Sequence, residues 1–219
     1  MNTHFEEELK SLKEQLVHMA GIVEQMIADT VTALKDRTEA PIAKVFESEK
    51  IVNQMQLDVD DKAVKMIALH QPTASDLRFL ITAIKINSEL ERIGDQSINV
   101  AETTLELLKQ PQLKPLIDIP RMAQISGGML KDSIDAFIRQ DTALAKNVCE
   151  RDDQVDTLKD QILRELLTYM MSDPSAISRA ISLILIARNF ERIGDHATNI
   201  GEEVIFMVQG KDIRHHANT

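Results

Sequence analysis

Two stretches decide how this chain is read: Glu91–Glu102, ERIGDQSINVAE, and Glu191–Glu202, ERIGDHATNIGE. Seven of the twelve positions are identical, and the second copy follows the first by 100 residues. A repeat at that interval marks a duplicated domain rather than a local motif. Around the first copy, Leu80 to Leu108 carries apolar residues at helical spacing and no proline, which predicts a helix. On a helix, Asp95, Asn99 and Glu102 lie about 40°, 80° and 20° from Glu91. All four side chains share one face, and the same arithmetic places Glu191, Asp195, Asn199 and Glu202 together. Leu80, Ile84, Ile98 and Leu105 continue that face, so the acids interrupt an apolar stripe.

A carboxylate in such a place must be paired, protonated or bound to a cation. One reading is pairing with arginine. Arg92 and Arg192 point about 100° away from the glutamates before them. Arg188 stands three residues before Glu191 and suits a pair, but its counterpart in the first copy is Ser88. The other reading is a cation site built from oxygen ligands. Gly94 and Gly194 lie inside the two helices, where glycine costs about 1 kcal/mol against alanine. Close approach of a neighbouring helix, or room for a bulky cluster, would account for them.

Composition narrows the class. The chain has 219 residues, 43% of them hydrophobic, but only 3% aromatic and no Trp. That profile fits helices packed through Leu, Ile, Val, Ala and Met. The net charge of −10 argues against a nucleic-acid surface or an anionic membrane as the main partner, and suits cations. Cys149 is the single cysteine, which leaves no intrachain disulfide and no cysteine zinc site. Glu6, Glu7 and Glu8 stand where a signal peptide would be basic. The longest apolar stretch, near Ile181 to Ala187, is too short to span a bilayer. The expectation is a soluble, cytoplasmic protein.

In chain order, Phe5, Leu9, Leu12, Leu16, Met19, Val23, Met26 and Thr30 form a heptad seam on a first helix from about His4 to Lys35. Thr38 and Pro41 open a second helix, which Pro72 stops; Thr73 or Ser75 caps a third. Pro111, Pro115 and Pro120 mark the boundary, giving halves 1–112 and 113–219. Asp118 caps a fourth helix, Asp141 a fifth and Asp173-Pro174 a sixth. The tail with His215 and His216 is expected to be solvated and disordered. The fold class is all-α: two consecutive three-helix bundles related by internal duplication. The middle helices also correspond, Glu49 and Asn53 aligning with Asp152 and Asp156. Each half thus offers a second polar stripe.

The doubled Glu-x-x-x-Asp, the trailing Asn and Glu, and the run Gln71-Pro-Thr-Ala-Ser-Asp-Leu-Arg78 resemble the PhoU family, the accessory and regulatory proteins of phosphate-specific transport. The resemblance covers nearly the whole chain. It implies two similar three-helix bundles and multinuclear metal clusters, divalent or trivalent and often iron, held by the motif carboxylates. By motif match the ligands would be Glu91 and Asp95, Glu191 and Asp195, with Asp152, Asp156 and Glu49 from the middle helices. Asn53, standing where an acid would be, makes the first site poorer. The seam of the first helix and the methionine-rich helices are expected to leave apolar surface that two thin bundles do not fully bury; with the family's habit added, a homodimer is expected. The resemblance further implies no enzymatic activity, and negative regulation of the phosphate-starvation response. There the protein couples the ABC transporter, through its ATPase subunit PstB, to the sensor histidine kinase PhoR. It would be cytoplasmic, peripheral to the transporter. Two rivals stand beside this. A carboxylate-bridged diiron enzyme would use Glu-x-x-His pairs, and none occurs in the sequence. The second is a metal-free helical scaffold.

Overall fold

The computed structural model describes residues 3–211, so the histidine tail lies outside the described residues. Six α-helices make up almost all of it: α1 (Thr3–Asp36), α2 (Ala40–His70), α3 (Ala74–Leu108), α4 (Asp118–Arg139), α5 (Thr142–Ser172) and α6 (Ile177–Gln209). Among the described residues there is no strand, and no helix is long and apolar enough to cross a membrane.

The ends follow local chemistry. Asp141 accepts from the amides of Ala143 and Leu144, both at 3.0 Å, and so caps α5. Asp173 accepts from Ser175 N at 2.8 Å and starts a short 3-10 turn, Pro174–Ala176, that leads into α6. Gln71, Gln140 and Gly210 end α2, α4 and α6 in the left-handed conformation. Two expected caps differ. Asp118 is the first residue of α4 rather than its cap. Thr73 holds the cap position of α3, but its hydroxyl donates to the Asp76 carboxylate instead of receiving a backbone amide. At the far end of α3, Arg37 reaches across from the α1–α2 turn. Its Nη2 donates to the carbonyls of Leu107 (3.1 Å), Leu108 (3.2 Å) and Gln110, satisfying groups a helix C-terminus leaves bare.

The helices form two layers. α2, α3, α6 and α5 lie in a row; α1 backs α2 and α3, α4 backs α5 and α6, and α1 adjoins α4. Each half is a three-helix bundle, and one continuous core runs through both. The heptad seam of α1 is consumed here: Leu12, Leu16, Met19, Val23 and Met26 are fully buried within the chain. The apolar surface expected to be left over by the α1 seam is therefore absent; most exposed large apolar side chains sit on α2, α5 and α6, with Val17 on α1, Ile81 on α3 and Ile117 between the halves.

The halves join through α3 and α6, which run antiparallel. Lys85 holds Glu203 at 2.8 and 3.0 Å, Glu89 meets Asn199 at 3.2 Å, and Arg78 Nε donates to Met207 O at 3.4 Å. Glu203 is almost wholly buried, so the partner ammonium is what makes its burial tolerable.

At Gly201, α6 packs tightly against α5. A Cβ there would stand 3.0 Å from Ala145 O and 3.3 Å from Cys149 Sγ. Gly201→Val should therefore cost about 2–3 kcal/mol by overpacking. Gly201→Ala should cost less, because alanine regains about 1 kcal/mol of helix propensity. Gly21, with open space around it, gives the control: Gly21→Ala should stabilise by about 1 kcal/mol. Urea unfolding of the three variants checks the set.

Candidate functional site

The polar positions singled out in the sequence lie on α2 and α3 in the first half and on α5 and α6 in the second. On the first side, Glu91 and Asp95 of α3 and Glu49 of α2 feel one another. Burial pushes the Glu91 carboxyl above its ordinary range, and Asp95 and Glu49 push it further. Asp95 is raised by burial and then by Glu49. Asn53, on the turn after Glu49, donates Nδ2 to Glu49 Oε1 at 2.6 Å. It thus serves the glutamate as a donor, not as a second acid.

The second side is more crowded. Burial raises Asp152 to about 6, helped by Asp195, Asp156, Asp153 and Glu191. Burial and then Glu191 and Asp156 raise Asp195. The structure thus brings Asp152, Asp156, Glu191 and Asp195 into one electrostatic group. One residue that the sequence reading passed over sits among them. Lys159 Nζ lies 2.8 Å from Asp156 Oδ1 and 2.9 Å from Glu191 Oε1. These bonds hold its ammonium above the ordinary lysine value. The pairing expected between Arg188 and Glu191 is therefore not what forms; Lys159, from the neighbouring helix, takes the place. Its signal in the sequence was the Asp156–Lys159 spacing of three. In the register that pairs Glu49 with Asp152, the first-half counterpart of Lys159 is Gln56, which brings no charge.

A second overlooked group lies where α3 meets α6. His196 Nδ1 is 2.6 Å from Glu89 Oε2, and Asn199 donates to the same oxygen. Burial opposes ionisation of Glu89, but these bonds prevail and hold its carboxyl below the usual range. His196 also lowers both Glu91 and Asp195, so it stands between the two acidic faces. An open cleft of about 420 Å³ lies over this seam, with Lys85, Ser88, Glu89, Arg92 and His196 in its wall. Asn199 was expected to extend the acidic face of α6; it turns to α3 instead. Glu202 acts on Cys149, whose thiol is pushed up to about 11 by burial and then by that carboxylate. A thiol so suppressed is a packing group, not a nucleophile.

The motif glycines are less constrained than the sequence suggested. A Cβ on Gly94 would stand 3.5 Å from Val52 Cγ1, and one on Gly194 would stand 3.5 Å from Asp152 Oδ1. Both are ordinary contacts, so alanine fits at either position.

The donor set is chemically that of a hard-cation site: carboxylate oxygens only, crowded enough to raise one another. Convergence is the weaker point. Among the described residues no group of three or more His, Cys, Asp or Glu side chains comes together so as to hold a metal ion. In the second half Lys159 already stands between two of the candidate ligands.

The model of the PhoU domain matches twice, over residues 16–104 and 119–204. The chain belongs to the PhoU family. The phosphate-specific transport system accessory protein PhoU homolog of Aquifex aeolicus is 41% identical over 208 residues, spanning 95% of this chain and 94% of that one. The accessory protein PhoU of Escherichia coli is 38% identical over 211 residues, spanning 96% and 88%. The crystal structure of PhoU from Pseudomonas aeruginosa superposes with a TM-score of 0.92 at 39% identity, covering 94% of this chain and all of that one. The two-domain helical architecture read from the ERIGD repeat is thus the family fold.

The crowding on α5 and α6 has a pH signature. Asp152 is raised from 3.8 to about 6. Between those values the folded state keeps a proton that the unfolded state has released, so stability from this group falls as pH rises through the window. In chelator, Asp152→Asn should melt like the wild type at pH 3.8 and above it past pH 6. The gain should not exceed about 1 kcal/mol, since the side chain is half exposed and screened. Calorimetry at the two ends of the window checks it.

Proposed function

We propose that this PhoU-family chain is a regulatory adaptor of phosphate uptake. It limits the phosphate-starvation response by contact with proteins and carries no catalytic activity. The observation that carries this is the near-full-length identity to proteins named as accessories of phosphate-specific transport. The partners in this reading are the ATPase subunit of the ABC phosphate transporter, PstB, and the sensor histidine kinase, PhoR. The adaptor works in the cytoplasm at the inner face of the transporter. It works as a homodimer, for which α2 offers exposed Ile51, Leu57, Val64 and Leu69.

The same reading gives the acidic faces to hard cations, divalent or trivalent, with iron among them. Glu191, Asp195, Asp152 and Asp156 would hold such an ion in the second half, and Glu91, Asp95 and Glu49 in the first. When bound, the cation supplies positive charge that offsets the crowding. The chain's own residues do the rest: the carboxylates tie the middle helix of each half to its third helix, and Lys159 competes with the ion in the second half.

Pull-down of purified chain with the transporter ATPase subunit tests the adaptor role, beside expression of a starvation-induced reporter in a deletion strain. Retention of the subunit and constitutive reporter expression are expected. A chain that binds neither subunit nor kinase, with a reporter unaffected by deletion, overturns it. For the cation, Lys159→Gln supplies the first-half residue and frees Asp156 and Glu191. It should tighten manganese binding about tenfold in calorimetric titration, and unchanged binding would remove Lys159 as a competitor.

A further inference from the structure

The two halves part company at one spot between the middle and third helices. In the first half, buried Asn87 donates to Gln56 O at 2.8 Å and to Asp60 Oδ1 at 2.9 Å. The corresponding positions in the second half are Ala187, Lys159 and Leu163. Alanine has no donor to offer, Lys159 turns to the acids, and Leu163 contributes only hydrocarbon. The space that the first half fills with a hydrogen-bonded group is left as an open cleft of about 280 Å³. Its wall is mostly apolar, through Ile162, Leu163, Ile184 and Ala187.

From one end of the cleft, exposed apolar side chains continue in steps of four: Leu163, Leu167 and Met171 on α5, and Ile177, Ile181 and Leu185 on α6. Met171 is 87% exposed and the other five are 39–46% exposed, so no described residue covers this stripe. Residues four apart on a helix lie on one face. At the other end stand Lys159, Arg188 and Glu191, and with them Asp152, Asp156 and Asp195. The surface is therefore apolar at one end and acidic at the other.

We propose that this surface of α5 and α6 docks an amphipathic helix of a protein partner, with apolar anchors in the cleft and along the stripe and lysine or arginine against the four carboxylates. It rests on the adaptor reading and says where and by what chemistry the adaptor is engaged. A helix laid in an apolar groove is a recurrent mode of peptide recognition, and a cleft that takes one anchor side chain is where binding energy concentrates. Charge complementarity selects a cationic helix. The chain carries −10 overall, the four acids outnumber the two cations at that end, Lys159 and Arg188, and Lys159 demonstrates that an ammonium is accommodated there. A second copy of this chain is a poorer occupant. It would lay its own acidic end against either this acidic end or the apolar stripe, and both are unfavourable.

The test uses the full chain in chelator and a fluorescein-labelled peptide with leucines at helical spacing and lysines at one end. Two companions replace the lysines by glutamate or the leucines by serine. Anisotropy should show micromolar binding of the first and at least about tenfold weaker binding of the others. Leu167→Glu with Ile181→Glu, both at exposed positions, should weaken the first peptide at least about tenfold. Val17→Glu on α1, 39% exposed against 45% and 46% for the pair, should leave it unchanged. Ala187→Asn with Leu163→Asp transplants the first half's hydrogen-bonded group and should weaken binding by closing the cleft. If circular dichroism shows that this pair misfolds, the exposed pair carries the test. Equal binding of all three peptides, or no effect of Leu167→Glu with Ile181→Glu, overturns the proposal. So does a wild-type dimer that those two substitutions dissociate, since a second copy then holds the face. Peptide binding without capture of the transporter ATPase would set aside that partner and leave the surface standing; capture that survives both substitutions would do the reverse.

Discussion

The antiparallel packing of α3 on α6 is the constraint on which the rest of the structure depends. Neither three-helix half buries the outer face of its third helix alone. Placed side by side, the two third helices close a single core, and each backing helix, α1 or α4, covers its own half. The contacts across this seam are polar as well as apolar. Lys85 with Glu203, and Glu89 with His196 and Asn199, fix the register in which the helices meet. That register decides where the ERIGD carboxylates stand. It sets the acids of α3 and α6 on either side of His196, each turned toward the middle helix of its own half.

Duplication gives the two halves the same frame but not the same chemistry. The first half has three acids and an amide, with Asn53 donating to Glu49. The second has four acids and an ammonium. The difference is physical, not decorative: a fourth carboxylate needs a counter-charge, and Lys159 supplies it from within the chain. A few residues away, the first half spends Asn87 on two hydrogen bonds, while Ala187 leaves the second half with an apolar cleft. One half is thus more finished, and the other is more open to something that binds.

Much of this was legible in the sequence. The repeat gave the duplication, the heptad of α1 and the helical spacing around the ERIGD motif gave the fold class, and Asp141 and Asp173 gave two helix starts. The shared face of Glu91 with Asp95, and of Glu191 with Asp195, follows from helical geometry alone. What was not legible depends on how helices rotate against each other. The contact of Glu89 with His196 joins residues far apart in the chain, and no periodicity encodes it. Lys159 was within reach, three residues after Asp156, but its bond to Glu191 needed the neighbouring helix to be placed. The seam of α1 reads from sequence as a surface seeking a partner. Its partners proved to be α2, α3 and α4.

We propose that carboxylate crowding on these faces opposes folding and that a bound cation relieves it. The most direct measurement is metal stoichiometry by mass spectrometry for the wild type and Asp195→Asn, beside thermal melts with and without chelator. Less metal is expected in the variant, and the wild-type melting temperature should fall in chelator while the variant's hardly moves. Equal stoichiometry, or melts indifferent to chelator in both proteins, would contradict it and leave acids held only by Lys159 and by solvent.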